Sequence, residues 1–167
     1  ALTDETDNVR EQAAWALGMI RSEDAVAALG VALTADAPSN VREQSAWALG
    51  MIKDDSAPDA LVSALRDDNA NVRSQAAWAS GMLRSSDSVD GLVGALTDSD
   101  GNVRSQAAWA LGMLGDSRAI DALSVALKDN DADVREQAAW AIGRLAKHGD
   151  DDLDIDDIDV ELDVRPD

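Results

Sequence analysis

The chain has 167 residues, of which 46% are hydrophobic, and its formal net charge is −19. This length is typical of one domain with enough apolar side chains to build a core, and the lack of cysteine excludes disulfides, thiolate metal sites and a thiol nucleophile. The negative charge argues against nucleic acid and anionic membranes as partners, because both attract Lys and Arg. No apolar run approaches the ~20 residues of a membrane span, and no signal-like segment is present, so we expect a cytoplasmic protein.

One sequence block recurs along the whole chain and organises it. Its tryptophans are spaced 32, 31, 31 and 31 residues apart, and they are all the tryptophans in the protein. Self-similarity at a fixed period of this length indicates a solenoid, in which copies of one supersecondary unit are stacked. The five copies are Val9–Ile20, Val41–Ile52, Val72–Leu83, Val103–Leu114 and Val134–Leu145.

The chain begins with Ala1–Leu2, which aligns with the Ala-Leu pairs that end the first helix of each later repeat. We therefore expect the chain to start inside a repeat and to be a piece of a longer protein. In the following repeats, apolar residues at spacings of three and four, such as Val26, Leu29 and Leu33, predict a first helix. Pro58 suits the first turn of such a helix, and Asp100 and Asp131 are placed to cap the next one.

The repeated block predicts the second helix of each repeat. On a helical wheel, Val9, Ala13, Leu17 and Ile20 form one apolar stripe, which we expect to face the layer of first helices. A second stripe lies on roughly the opposite side and contains the Glu-Gln, Trp and Met positions of the block. Its candidate binding residues are Trp15, Trp47, Trp78, Trp109, Trp140, Gln12, Gln44, Gln75, Gln106, Gln137, Met19, Met51, Met82 and Met113.

A glycine also recurs inside each second helix, where it costs about 1 kcal/mol relative to alanine. Either the close approach of a neighbouring backbone or room for the adjacent tryptophan would explain it, and the sequence does not choose between them. The recurring glycines are Gly18, Gly50, Gly81, Gly112 and Gly143.

The repeats end near residue 148, and residues 149–167 form an acidic tail with ten acidic residues and one arginine. Its apolar residues alternate with polar ones, but this alternation shifts by one residue at Asp156–Asp157. Such a charged segment is predicted to be disordered or extended.

The block V-R-x-x-A-A-x-A-L-G-x-I, joined by a D-x-D turn to a first helix ending in A-L, resembles the short HEAT-like repeats of the phycobilisome-lyase type. The resemblance covers Ala1–Lys147 and implies an all-α, right-handed solenoid over residues 1–148. It also implies that the four variable positions of the second helix lie on the concave surface, and that the Arg after each Val pairs with turn Asp residues. The excess of Asp and the scarcity of Lys resemble proteins of halophilic archaea, and we expect that origin.

Two branches of this family carry out chemistry. In deoxyhypusine hydroxylase, His-Glu pairs that bind iron follow the Val-Arg, whereas this chain has Glu-Gln or Ser-Gln there and only one histidine, His148. We therefore predict no metal, no cofactor and no catalytic residue, and we predict that the chain is not an enzyme. The bilin-lyase branch remains an alternative, although the chain lacks the Cys that chromophore chemistry could use.

The sequence thus predicts a scaffold or adaptor that binds an extended peptide or protein surface on a concave Trp/Met/Gln face. Packed helices lie ~8–10 Å apart, so five tryptophans would span about 40 Å. We expect a partner with Arg or Lys between apolar residues, and next the tail 150–164 of the same or a neighbouring chain. Two alternatives stay open: the tryptophans fill spaces between adjacent second helices, or the solenoid is a spacer in a longer protein.

Overall fold

A computed structural model describes residues 1–34 and 38–148, without the side chain of His148. The predicted tail lies outside the described residues, as do residues 35–37. The described chain is helical and contains no strand. The second helices of the repeats are α1 (Asp7–Met19), α3 (Ser39–Ile52), α5 (Ala70–Leu83), α7 (Gly101–Leu114) and α9 (Ala132–His148).

The first helices are shorter, and three of them follow a 3₁₀ turn, at Glu23–Ala25, Ser86–Ser88 and Ser117–Ala119. Each first helix packs against the second helix of its own repeat, and each second helix packs against those of the adjacent repeats. The predicted all-α solenoid of two-helix repeats is therefore confirmed. The first helices are α2 (Val26–Thr34), α4 (Pro58–Ala64), α6 (Val89–Ala95) and α8 (Ile120–Ala126).

The core lies between these two helix layers. In α7 the apolar stripe of Val103, Ala107 and Leu111 is fully buried, as predicted. The same prediction is wrong for α1, where Val9 is 42% and Ile20 72% exposed. No first helix precedes α1 in the described chain, and of these side chains Leu17 is the one that packs against the core, partly buried.

The helix ends follow the predicted signals. Asp100 accepts hydrogen bonds from the backbone N–H groups of Asn102 (2.9 Å) and Val103 (3.3 Å), and Asp131 accepts one from Asp133 (2.9 Å). These carboxylates satisfy backbone donors that have no partner inside the helix. Pro58 is the first residue of α4, as expected. None of the helices in the described chain is long and apolar enough to cross a membrane.

Candidate binding face

The Glu/Ser, Gln, Trp and Met positions of the second helices remain accessible in every described repeat. In α3, α5 and α7 these side chains are half-buried, while the apolar stripe on the other side of each helix is buried. We call the surface made by the Trp, Gln and Met positions of α1, α3, α5, α7 and α9 the tryptophan face. That this face is concave and binds a partner stays a prediction.

The recurring glycine accommodates the tryptophan of the next repeat. A Cβ atom built on Gly81 would lie 2.7 Å from Cζ3 of Trp109 and 2.9 Å from the Cα of Ala110, and Gly18, Gly50 and Gly112 have equivalent contacts. Both explanations left open by the sequence are therefore correct, because a side chain there would collide with the indole and with the neighbouring backbone.

The tryptophans consequently have two environments at once. One ring edge of Trp47, Trp78, Trp109 and Trp140 packs over the glycine of the preceding repeat. The rest of each ring retains accessible surface, and Trp15 and Trp140, at the two ends, are 46% and 38% exposed. The interpretation that tryptophans fill spaces between second helices therefore remains an alternative, because Trp47, Trp78 and Trp109 pack against the core while part of each side chain stays accessible.

The glutamine amides and indole N–H groups of the face have no hydrogen-bond partner among the described residues. In the described part of the chain, no glutamine side chain of the face and no indole N–H makes a hydrogen bond to another protein group. An amide side chain offers two donors and an acceptor, and an indole offers one donor. Each repeat therefore presents accessible donors and acceptors beside an aromatic ring.

The charge on the face is unevenly distributed. Glu11, Glu43 and Glu136 precede the glutamines of the outer repeats, whereas Ser74 and Ser105 occupy that position in the two central ones. Asn40 donates a hydrogen bond to the carboxylate of Glu11. The first two repeats of the face thus carry a carboxylate, the next two carry none, and the last one carries both Glu136 and Arg144.

Arg144 lies over the ring of the last tryptophan, and sequence analysis did not identify this residue. Its guanidinium carbon lies 5.2 Å from the centroid of the Trp140 ring, and its Nε donates to the carbonyl oxygen of Gly112 at 3.0 Å. This arrangement is a cation–π contact held in place by a hydrogen bond. The available signal was the departure from methionine, which occupies this position in the other four repeats.

The arginine after each repeated valine has a structural role. Arg73 binds both carboxylate oxygens of Asp98 (2.7 and 2.8 Å), and Arg104 binds those of Asp129 (2.8 Å each). The hydrogen bonds from Arg73 lower the pKa of Asp98, and those from Arg104 lower the pKa of Asp129. Arg42 pairs with Asp67 in the same way, so these bonds join successive repeats.

A model of HEAT repeats matches residues 1–81 and 58–143. The chain is a HEAT-repeat protein. Its helix pairs, buried glycines and inter-repeat arginines are structural features that agree with this family assignment. HEAT and armadillo solenoids of this kind are typical protein-interaction scaffolds. No curated protein matches the chain.

Three solved structures illustrate the range of proteins that share this fold. A chain of the CpcE–CpcF complex of phycocyanin lyase from Nostoc sp. PCC7120 is 25% identical, with a TM-score of 0.79. The match covers 87% of this chain but only 62% of that one, so this chain spans less than two thirds of the relative. A designed armadillo repeat protein in complex with the peptide (KR)4 is 22% identical, with a TM-score of 0.68 and coverage of 86% and 78%. Human deoxyhypusine hydroxylase is 17% identical, with a TM-score of 0.53 and coverage of 88% and 82%.

These comparisons correct one prediction of the sequence analysis. We predicted that the chain is not an enzyme, and the similarity to the phycocyanin lyase complex contradicts that prediction. The prediction relied on the absence of catalytic side chains in single repeats, and a solenoid can belong to an enzyme as one subunit of an assembly. In the described residues, no group of three or more His, Cys, Asp or Glu side chains is arranged to hold a metal ion.

Proposed function

We propose that this HEAT-repeat protein binds an extended segment of a partner protein along the tryptophan face. The observation that carries the proposal is that each second helix presents an accessible indole and a glutamine amide that makes no hydrogen bond to the described residues. A peptide backbone offers N–H and C=O groups that glutamine can bind, while indole rings supply apolar area for its side chains.

The repeat spacing suits an extended peptide. Adjacent packed helices are ~8–10 Å apart, and an extended chain rises ~3.3 Å per residue, so one tryptophan meets about every third residue. Side chains at that spacing would contact successive rings. The segment would span all five repeats with about twelve residues.

The chemistry of the face favours a partner with Arg or Lys between apolar residues. Glu11, Glu43 and Glu136 attract cations, and a tryptophan ring binds them over its surface. Arg144 over Trp140 is an example of that contact within the chain. The armadillo protein of similar fold holds a peptide of Lys and Arg, which supports the idea that such solenoids accommodate basic segments.

A second candidate is a subunit of a chromophore-handling lyase, which the similarity to the CpcE–CpcF complex favours. In that case the partner would be a second solenoid, and the assembly would bind a linear tetrapyrrole. Addition of a bilin to the purified protein, with and without a candidate partner subunit, would then shift the absorption spectrum of the chromophore.

The peptide proposal is tested with Gln75→Ala plus Gln106→Ala, because these side chains make no hydrogen bond to the described residues. The probe is a synthetic peptide of about twelve extended residues with Arg at every third position and Leu between. We expect the wild-type protein to bind it and the double variant to bind at least about tenfold more weakly, because two hydrogen bonds are lost. Calorimetric titration measures both affinities.

The control is Ser63→Ala plus Ser124→Ala, which removes two polar side chains from the first helices α4 and α8, in the other helix layer, where each bonds only to a backbone carbonyl of its own helix. This control should bind like the wild type. Equal binding by the glutamine variant and the wild type, or loss of binding in both pairs, would contradict the proposal. Trp78→Ala plus Trp109→Ala is a second variant, and its fold must be checked because Trp78 and Trp109 pack over Gly50 and Gly81.

A further inference from the structure

The last repeat differs from the other four at one position of the tryptophan face. Four residues after the tryptophan, the second helices of the first four repeats carry a methionine, whereas α9 carries Arg144. One edge of the face is therefore apolar along four repeats and cationic at the fifth. A partner that runs along the whole face meets this change at one end of its bound segment.

Two contacts fix the guanidinium of Arg144. Its carbon lies 5.2 Å from the centroid of the Trp140 ring, and its Nε donates to the carbonyl oxygen of Gly112 at 3.0 Å. A guanidinium has five N–H donors. Those on Nη1 and Nη2 make no hydrogen bond to the described residues. They form an oriented fork of the kind that binds both oxygens of a carboxylate.

No carboxylate in the described part of the chain occupies this fork. Arg73 and Arg104, in contrast, each bind an Asp of the next repeat. The acid of the last repeat, Glu136, lies eight residues before Arg144. That spacing is about 12 Å along the helix axis, which exceeds the screening length of about 8 Å at physiological salt. Glu136 therefore does little to neutralise Arg144.

The ring of Trp140 is also less suited to a partner's cation than the other tryptophans. The guanidinium of Arg144 already covers one side of this ring, and a second cation there would be repelled by the first. The tryptophans of the first four repeats have no such cation over them among the described residues. Basic side chains of a partner thus suit the first four repeats, and an acidic group suits the fifth.

We propose that the segment bound along the tryptophan face ends over α9 with a carboxylate, which the Nη1 and Nη2 groups of Arg144 bind. This inference rests on the proposed function and adds an acidic end to the partner's basic and apolar residues. An acidic side chain or the chain terminus supplies the carboxylate. Arg144 also sets the orientation of the segment, because the reverse order would place the acid beside Glu11 and a cation beside Arg144.

The hydrogen bond to Gly112 gives Arg144 a structural role as well. Gly112 lies in the last turn of α7, where carbonyl groups have no partner within the helix, and Arg144 satisfies one of them. A purely structural role predicts that loss of Arg144 lowers stability and leaves the choice of partner unchanged. Recognition of a carboxylate predicts a changed choice, so the experiment measures preference between two peptides.

The two peptides differ only at one end residue, which is Glu in one and Gln in the other. The remainder is the segment of about twelve residues with Arg at every third position and Leu between, with both termini blocked. One pair has the variable residue first and a second pair has it last, which covers both chain directions. The chain's net charge of −19 disfavours the Glu peptides, so a preference for Glu requires a local cation.

We expect the wild-type protein to bind the Glu peptide of one pair about fivefold more tightly than its Gln counterpart, which is the upper value for an ion pair near the surface. Calorimetric titration measures the affinities. A further Gln-ended peptide with a free carboxyl terminus separates the two sources of the carboxylate. If it binds as tightly as the Glu peptide, the site accepts a chain terminus, and if it binds like the blocked Gln peptide, the site requires an acidic side chain.

Arg144→Met introduces the residue of the other four repeats and should abolish the preference for Glu or reverse it. The matched control is Arg135→Met, which removes the same charge from an exposed position of the same helix. Arg135 lies nine residues earlier, about two and a half helical turns, and hence on the opposite side of α9. This control should keep the fivefold preference.

Equal binding of the Glu and Gln peptides by the wild type in both pairs would overturn the inference. If Gln75→Ala plus Gln106→Ala still weakened both peptides, the proposed function would stand without it. A preference for Glu that survives in Arg144→Met, or that disappears equally in Arg135→Met, would also overturn the inference, because the carboxylate would then respond to another site or to overall charge. Failure of every peptide to bind would overturn the proposed function and the inference together.

Discussion

The interior and terminal second helices share one sequence motif but have different surroundings. Ile52 in α3 is 8% exposed, whereas Ile20, at the same position beside α1, is 72% exposed. Gly112 is covered by the next repeat, and Gly143 is open. The difference shows that in a solenoid the role of a residue depends on the adjacent repeat as much as on the motif.

The largest effect should come from the apolar stripe. We expect Ile52→Ala to lower the free energy of unfolding by about 3 kcal/mol, because it leaves a cavity in the core. Ile20→Ala should change it by less than about 0.5 kcal/mol, because that side chain is already in water. Chemical denaturation followed by circular dichroism measures both. Similar losses in the two variants would show that Ile20 is covered in solution.

Substitution of the recurring glycine should change the free energy of unfolding by smaller amounts, with opposite signs at two equivalent positions. Gly81→Ala should destabilise the protein by about 2 kcal/mol, because its Cβ collides with the backbone of Ala110, which cannot move away freely. Gly143→Ala meets no neighbour and should stabilise α9 by up to about 1 kcal/mol through helix propensity. The thermal unfolding midpoints of the two variants, compared with that of the wild type, measure both changes in stability. Equal shifts in the same direction would contradict the packing of Trp109 over Gly81.

The inter-repeat arginines should show a third contrast. Arg73→Gln removes the bidentate partner of Asp98 and should cost about 1.5 kcal/mol at neutral pH. Arg135→Gln should cost much less, because no carboxylate in the described residues binds Arg135. A denaturation series on both variants tests this difference, and a larger loss for Arg135→Gln would contradict it.

The contribution of Arg73 to the free energy of unfolding should also depend on pH. Because pairing lowers the folded-state pKa of Asp98, its stabilisation is fully present above the unfolded pKa of about 3.9 and is lost as the pH falls through the folded value. The penalty of Arg73→Gln should therefore be constant from pH 7 to pH 5 and shrink below about pH 4. A penalty that stays unchanged in acid would exclude the carboxylate as its cause.

The smallest effect concerns two equivalent helix ends. The residue after α7 is Gly115 (φ 72°), and the residue after α5 is Arg84 (φ 56°), so both are left-handed. Gly115→Ala should cost about 1 kcal/mol from backbone strain, although no atom lies near the new Cβ. Arg84→Gly should raise stability by a few tenths of a kcal/mol, because relief of strain is offset by loss of a cation near the helix C-terminus. Differential scanning calorimetry compares the two, and a stabilising Gly115→Ala would show that strain is absent.

Much of the fold was predictable because the same sequence pattern recurs five times along the chain. The period predicted stacked helix pairs, and Asp100 and Pro58 predicted helix starts that the structure confirms. The wheel position of Trp78 opposite the buried stripe was also predictable, since it follows from helix geometry alone. The use of the tryptophan face, the cytoplasmic location and the halophilic origin remain predictions.

Other features required the neighbouring repeats to be in place. Local periodicity does not tell whether a glycine faces an indole, a backbone or water. The different surroundings of Gly112 and Gly143 could therefore not be predicted from the sequence. The contact of Arg144 with Trp140, four residues earlier in the same helix, follows from local helix geometry, whereas its hydrogen bond to the carbonyl of Gly112 requires the preceding repeat. The prediction that the chain is not an enzyme failed because activity can depend on an assembly of subunits rather than on side chains within one repeat.

The sequence by itself determined the helix pairs, their caps and the two stripes of each second helix, because these depend on interactions over a few residues. Only the tertiary structure decided how deeply each stripe is buried, where the glycines meet the tryptophans, and which of the repeated arginines bind a carboxylate among the described residues. These depend on contacts between residues about one repeat apart, such as Arg73 and Asp98, which close only when the repeats stack.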